Sequence, residues 1–318
     1  MTSTADNPPS YSELRAQLDT LTTEAFRSDL SDIDQLPTLE IARIMQGEDS
    51  TVPGAVAEQL PRIAAAIDAT AERMARGGRL VYAGAGTAGR MGVLDASECP
   101  PTFNTDPSDV VGLIAGGPDA MNRSVEGAED SKELAASDLD ALRLTADDTV
   151  VGISASGRTP YAVGAVEHAR REHGALTVGF SCNADSPLGE AADLRIEVVV
   201  GPELLTGSTR LKAGTAQKLV LNMLSTITMI RLGKTYGNLM VDLRASNEKL
   251  RARSRRIVSL ATGAGDEAIE AALTQAGDEV KNAILIILAG VDGRTAARLL
   301  DNADGHLRAA LRAAGGQG

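Results

Sequence analysis

The chain has 318 residues, 43% apolar and 23% charged, a composition that supports a globular core and excludes an intrinsically disordered chain. Its formal net charge of −12 argues against nucleic acid as a partner, because phosphate contacts need clustered Lys and Arg. Two cysteines, Cys99 and Cys182, cannot build a disulfide framework or a zinc cluster, and no metal site is expected.

In chain order, residues 1–35 are polar and lack a clear period, so residues 1–50 read as an arm and a first helix. Asp6, Glu13 and Arg15 interrupt any signal-peptide core, which predicts a soluble, cytoplasmic protein. From Pro53 to Gly78, Val56, Leu60, Ile63, Ala66 and Ile67 recur at helical spacing. Strands are then predicted at Arg79–Ala83, Val110–Ala115, Thr149–Ile153, Leu176–Phe180 and Leu194–Val200. Helices are predicted near Thr87–Ser97, Ala120–Leu142, Pro160–His173 and Pro187–Ala191. This alternation, with nearly all-apolar strands, implies a doubly wound parallel sheet covered by helices on both faces. A long apolar helix follows from Leu211 to Leu232. Beyond Asn247 no strand is predicted, and Gly263, Gly277 and Gly293 divide a small helical unit. The expected organisation is an arm (1–50), an α/β catalytic domain (51–246) and a C-terminal helical domain (247–318). The run Ala283–Ala289 is far short of the ~20 residues that span a bilayer, so no membrane association is expected. The basic run Lys249–Arg256 reads as a solvated or interface helix face.

In an open parallel sheet, ligands sit beyond the carboxyl ends of the strands, so three strand-end loops are of interest. The first, Gly84-Ala-Gly86-Thr87-Ala88-Gly89-Arg90, has the spacing GxGxxG. The second strand, however, ends Leu113-Ile-Ala-Gly-Gly117 without the acidic residue a dinucleotide ribose needs. What remains is a glycine loop that brings N–H groups at a helix start close to an anion. The second, Ser154-Ala-Ser156-Gly157-Arg158-Thr159-Pro160, offers three hydroxyls and a glycine at a helix start, a nest for a phosphate monoester. One hydroxyl suffices for a helix cap; three favour phosphate. In the third, Thr206–Thr215, Ser208, Arg210 and Lys212 open the long helix. Its macrodipole disfavours cations at that end, a conflict that a bound anion would remove. Together the loops describe a pocket for a phosphorylated small molecule without a cofactor.

These residues resemble the N-acetylmuramic acid 6-phosphate etherases of the sugar isomerase (SIS) superfamily. The likeness is carried by GAGTAGRMGVLDASECPPTF, VEGAEDS (125–131), SASGRTPY and TGSTRLKAGTAQKLVLNMLST, and runs from about Thr38 to the C-terminal helices. Two departures are visible: Ala88 stands where the family usually has serine, and Arg27 stands where its T-E-x-x-N signature has asparagine. The resemblance implies the SIS fold and cleavage of the D-lactyl ether at C3 of a 6-phosphorylated amino sugar. The products would be N-acetylglucosamine 6-phosphate and D-lactate, in recycling or catabolism of cell-wall amino sugars. Gly86, Thr87, Ala88, Ser154, Ser156, Gly157, Thr159, Ser208 and Lys212 are the expected substrate-binding residues. Arg90, Arg158, Arg210 and Lys212 are the candidates to hold the lactyl carboxylate.

An ether is a poor leaving group at neutral pH. In the ring-opened sugar, however, the C2 proton is acidified by the aldehyde. A base can remove it while an acid protonates the departing oxygen at C3, after which water adds back. Such a step needs two carboxyl groups in different protonation states. By the resemblance, Glu98 is the acid and Glu129 the C2 base, with Glu126 the local alternative if the segment is one helix. Pro100 and Pro101 are expected to end the first helix near Glu98 and fix its direction. Cys99 reads as a packing residue, because His168, His173 and His306 lie away from the strand-end loops. His168 and His173 themselves read as surface positions. The competing readings are a non-catalytic sugar-phosphate sensor and an aldose–ketose isomerase, the latter having no task for an acid at the C3 oxygen. The buried third-loop helix and the polar arm predict a homodimer, with pockets open to sharing between chains.

Overall fold

The computed structural model describes residues 11–18, 20–243 and 248–315. The boundary expected between 246 and 247, Asp6 and the last three residues lie outside them. The N-terminal segment holds α1 (Tyr11–Leu18), three single 3-10 turns, α2 (Thr38–Asp49), α3 (Val52–Glu58) and α4 (Leu60–Met74). The α/β unit follows as β1 (Leu80–Gly84), α5 (Gly86–Phe103), β2 (Val110–Ile114), α6 (Lys132–Leu142), β3 (Thr149–Ser154) and α7 (Pro160–His168). It continues through β4 (Leu176–Ser181), α8 (Pro187–Ala191), β5 (Leu194–Glu197) and α9 (Lys212–Arg231). A two-residue-per-strand hairpin, β6 (Thr235–Tyr236) and β7 (Leu239–Met240), leads to α10 (Glu248–Thr262) and α11 (Asp266–Gln275). The described chain closes with α12 (Val280–Ala289), α13 (Gly293–Asp301) and α14 (Leu307–Gly315).

The sheet is parallel throughout, in the order β2-β1-β3-β4-β5. Side chains alternate across it: Leu80, Tyr82, Val151 and Ile153 enter a core with α4, α5 and α9, while Val81, Ala83 and Val150 meet α6 and α7. Both faces are covered, which is why the strands read as apolar runs. A separate core, including Val258, Ile284, Leu285, Leu300 and Leu307, joins the C-terminal helices to Val241 and Leu243 of the connecting segment. Among the described residues no helix is long and apolar enough to cross a membrane.

Four elements differ from the sequence reading. The helix expected over 53–78 breaks at Gln59 into α3 and α4, ahead of Pro61. The last strand ends at Glu197 rather than Val200. The helix expected over 120–142 shrinks to α6; before it come 3-10 turns at Pro118–Met121 and Ala128–Asp130, with Gly127 at φ +72 between them. Ser131 then starts α6 by accepting the Leu134 N–H at 3.0 Å. Finally, α5 does not stop at Ser97. It runs through Pro100 and Pro101 to Phe103, so Glu98 sits inside a helix. Two prolines remove two helical N–H donors. Burial of Ala96, Cys99 and Phe103 in the main core outweighs that loss.

Candidate active site

A strand order that reverses between β1 and β3 leaves a crevice beyond their carboxyl ends. A cavity of about 1040 Å³ occupies that position. The loop after β1 brings Gly86, Thr87 and Ala88 to it, and the loop after β3 brings Ser154, Ser156 and Thr159. The glycines of the first loop have separate jobs. A Cβ on Gly89 would lie 2.6 Å from the Gly84 carbonyl oxygen, so that glycine lets α5 press on β1. Gly86 has φ +53 and open space where a side chain would be, which leaves its backbone accessible from the cavity.

The second loop is a cup of hydroxyls. Ser154 Oγ lies 2.8 Å from Thr159 Oγ1 and 3.2 Å from Ser156 Oγ. Gly157 N–H donates to Ser154 Oγ at 3.0 Å and Arg158 N–H to Ser156 Oγ at 3.2 Å. Thr159, the N-cap residue of α7, makes no side-chain capping bond, so simple helix capping does not account for the cluster. Gly157 supports the cup from behind: its φ is +70, and a Cβ there would lie 2.4 Å from the Ser186 Cβ.

Glu129 also lines the cavity. It stands on the 3-10 turn Ala128–Asp130, whose buried Ala128 anchors it in the core shared with Tyr161 and Ala165. Glu126 is not one helical turn away, because residues 122–127 are not helical. It shares with Glu129 a smaller recess of about 170 Å³ lined by Arg90 and Arg123.

Glu98 lies elsewhere. It is exposed on α5 beside Leu94, Asp95, Lys218 and Asn222, in a separate recess of about 180 Å³. Twelve residues of helix separate it from Gly86, about 18 Å along the axis. Beneath it Asp95 is buried, accepting from Tyr82 Oη at 2.8 Å, Asn222 Nδ2 at 2.6 Å and Ser225 Oγ at 3.1 Å. Burial pushes the Asp95 carboxyl up, against the pull of those three donors. Cys99 packs in the core, and burial pushes its thiol up to about 12, so it is no nucleophile.

The third loop differs most from expectation. The anion at the start of α9 is the protein's own: buried Glu203 accepts from Lys212 N–H at 2.9 Å and Ala213 N–H at 3.0 Å. Lys212, only 4% exposed, turns its ammonium to Glu48 Oε2 at 2.7 Å and does not line the cavity; neither does Ser208. From this segment Thr209 and Gln217 reach the cavity instead. Gln217 is buried, and its Oε1 has no hydrogen-bond partner within the protein. Glu24 and Arg158 complete the polar lining. Glu24 belongs to the T-E-x-x-N segment, Thr209 to the third loop and Gln217 to the TGSTRLKAGTAQKLVLNMLST stretch, but nothing in the sequence singled them out as lining residues.

A parallel five-stranded sheet with a cup of hydroxyls at its switch point is the architecture of the SIS class. Family models agree: residues 62–170 match the glucokinase regulatory protein N-terminal SIS domain and residues 129–227 match the SIS domain. The chain is 80% identical to the N-acetylmuramic acid 6-phosphate etherase of Streptomyces avermitilis, covering 96% of this chain and 97% of that one. It is 77% identical to the enzyme of the same name from Streptomyces coelicolor, over 99% of both chains. Against the one from Rubrobacter xylanophilus it is 61% identical over 93% of this chain and 97% of the relative. The chain belongs to the N-acetylmuramic acid 6-phosphate etherase family.

Proposed function

We propose that this protein cleaves the D-lactyl ether of N-acetylmuramic acid 6-phosphate to N-acetylglucosamine 6-phosphate and D-lactate, as a step in the recycling or catabolism of cell-wall amino sugars. The observation that carries this reading is a carboxylate, Glu129, facing the same cavity as a three-hydroxyl cup. The cup of Ser154, Ser156 and Thr159 takes the phosphate, assisted by the N-terminus of α7 and backbone at Gly86. Anchoring that remote group places the reacting carbons of the ring-opened sugar deeper in the cavity. Glu129 removes the C2 proton, electrons flow toward the aldehyde, and the C3–O bond breaks as its oxygen is protonated. Water adds at C3 to complete the product. One carboxyl works ionised and the other protonated, so activity should follow a bell-shaped pH profile. Arg158, exposed at the rim, is the candidate cation for the lactyl carboxylate.

The acid implied by the family, Glu98, stands too far along α5 in its own chain to touch a monosaccharide held at Gly86, where the own-chain carboxylates are Glu24, Glu129 and Asp130. We infer that the acid is Glu98 of the partner subunit in a homodimer. Leu94, one turn before Glu98, is 50% exposed, and Ile227 and Ile230 on the adjoining α9 are 37% and 45% exposed. A second copy covering this face would bury them and carry Glu98 to the neighbouring cavity.

Incubation with the muramic acid phosphate in deuterated, ¹⁸O-labelled water tests the reaction. D-lactate release, deuterium at C2 and ¹⁸O at C3 are expected. Ketose formation would indicate the isomerase, and binding without turnover the sensor.

A further inference from the structure

The last turn of α7 does not end as an α-helix. Residues Ala169–His173 form a π-helical turn, closed by Gly174 at φ +63. In an α-helix, residues five apart point about 140° away from each other, whereas a wider π turn brings them onto one side. His168 and His173, two of the chain's three histidines, are five apart. Both rings turn toward the same oxygen of the neighbouring helix α6. His168 Nε2 is 2.7 Å and His173 Nε2 3.0 Å from Asp140 Oδ1. The rings stand edge to face with centroids 5.3 Å apart. Their side chains are only 15% and 18% exposed, while Asp140 is 58% exposed, so the cluster is walled by protein and open on one side. The surface reading of these histidines is therefore corrected: the π turn sets them into the groove between α6 and α7.

We propose that Asp140, His168 and His173 form a binding site for a borderline divalent transition metal such as Zn²⁺. One donor atom from each residue lies within 4.8 Å of the other two. A tetrahedral zinc ion with bonds of about 2.0–2.1 Å needs them ~3.4 Å apart, a small adjustment of two imidazole rings and a carboxylate. Two imidazoles with one carboxylate suit zinc or nickel and disfavour magnesium, which prefers an all-oxygen shell. Water completes the shell on the open side. The competing charges nearby are occupied: Arg170 pairs with Asp193 at 2.9 Å, Arg171 with Glu172 at 2.6 Å and Lys132 with Glu167 at 2.8 Å. In the metal-bound form each ring carries its proton on Nδ1 and offers its Nε2 lone pair. The two hydrogen bonds to Asp140 are thereby replaced by metal–ligand bonds. The site lies at the end of α7 away from the cup at Pro160, so the ion would tie α6 to α7 and take no part in ether cleavage. Its role is a structural clip responsive to metal supply.

Titration calorimetry of the untagged full-length protein with ZnCl₂ tests this. One equivalent should bind with a micromolar Kd, without competition from millimolar Mg²⁺, and should raise the unfolding temperature. Asp140→Asn and His173→Gln should each weaken binding by at least the ~10–100-fold that loss of a supporting contact costs a metal site. Circular dichroism of the metal-free variants must match the parent; should Asp140→Asn misfold, His173→Gln and His168→Gln carry the comparison. Absence of saturable Zn²⁺ binding in the parent would overturn the proposal, showing the cluster to be a hydrogen-bonded clip only. Undiminished binding in the folded variants would overturn it equally, placing the ion elsewhere.

Discussion

The Lys212 ammonium lies 2.7 Å from a Glu48 carboxylate oxygen, and Glu48 also accepts from Arg27 at 2.9 Å. Arg27 in turn grips Asp29, so the N-terminal segment is tied to the start of α9 through four alternating charges. Arg27 is the residue that departs from the family signature, and here it completes this network. Lys212→Met should leave Glu48 with Arg27 alone and destabilise the fold by about 1–3 kcal/mol in chemical denaturation. An unchanged midpoint would contradict it.

The same network sets a pH dependence. Burial alone would push the Glu48 carboxyl up, but Lys212 and Arg27 outweigh it and hold the group below the usual carboxylate range. A depressed folded value means the contribution is fully present above the ordinary glutamate range and is lost as pH falls through the folded one. Glu48→Gln should therefore lower stability at neutral pH and lose less of it on acidification than the parent. Parallel stability–pH curves would refute this.

Ser154→Ala combined with Ser156→Ala should mainly raise KM, by about 10–100-fold, because the hydroxyls serve a group remote from the reacting carbons. The dephosphorylated sugar should not be discriminated further by the variant. An unaltered KM would remove the phosphate assignment.

Gln217 offers a sharper contrast between folding and function. Its buried Oε1 finds no partner in the protein, so Gln217→Met should cost little stability or even add some. If that oxygen receives a sugar hydroxyl or amide proton, the same change should raise KM about 5–10-fold. Equal loss of stability and activity would make Gln217 structural only.

Much of this architecture was legible because its physics is local. Buried parallel strands must be apolar on both sides, so all five were visible, as was the crevice their end loops build. What failed depended on distant packing. Proline punctuation at Pro100 reads as a stop, but Cys99 just before it and Phe103 beyond it lock α5 into the core. Lys212 reads as an anion ligand because its partners, Glu48 and Glu203, lie 164 and 9 residues away and gave no local sign. Glu129 was visible in a specific motif, but its setting on a 3-10 turn was hidden by surrounding helix formers. His168 and His173 have the wrong spacing for an α-helix, and only the π turn unites them.

The two catalytic variants assign roles as well as positions. Glu129→Gln should abolish both lactate release and exchange of the C2 proton with solvent. Glu98→Gln should retain exchange while lactate release collapses, since the carbanion forms but its leaving group stays unprotonated. The reverse pattern would exchange the two roles.

The central claim is that one site draws Glu129 from one chain and Glu98 from another. Mixing equal amounts of Glu98→Gln and Glu129→Gln, unfolded and refolded together, tests it most directly by D-lactate release. Random pairing makes half the dimers mixed, each holding one site with both carboxyls intact, so activity should recover to about one quarter of the parent's. No recovery above the separate variants, with mixed dimers demonstrably formed, would contradict the shared site.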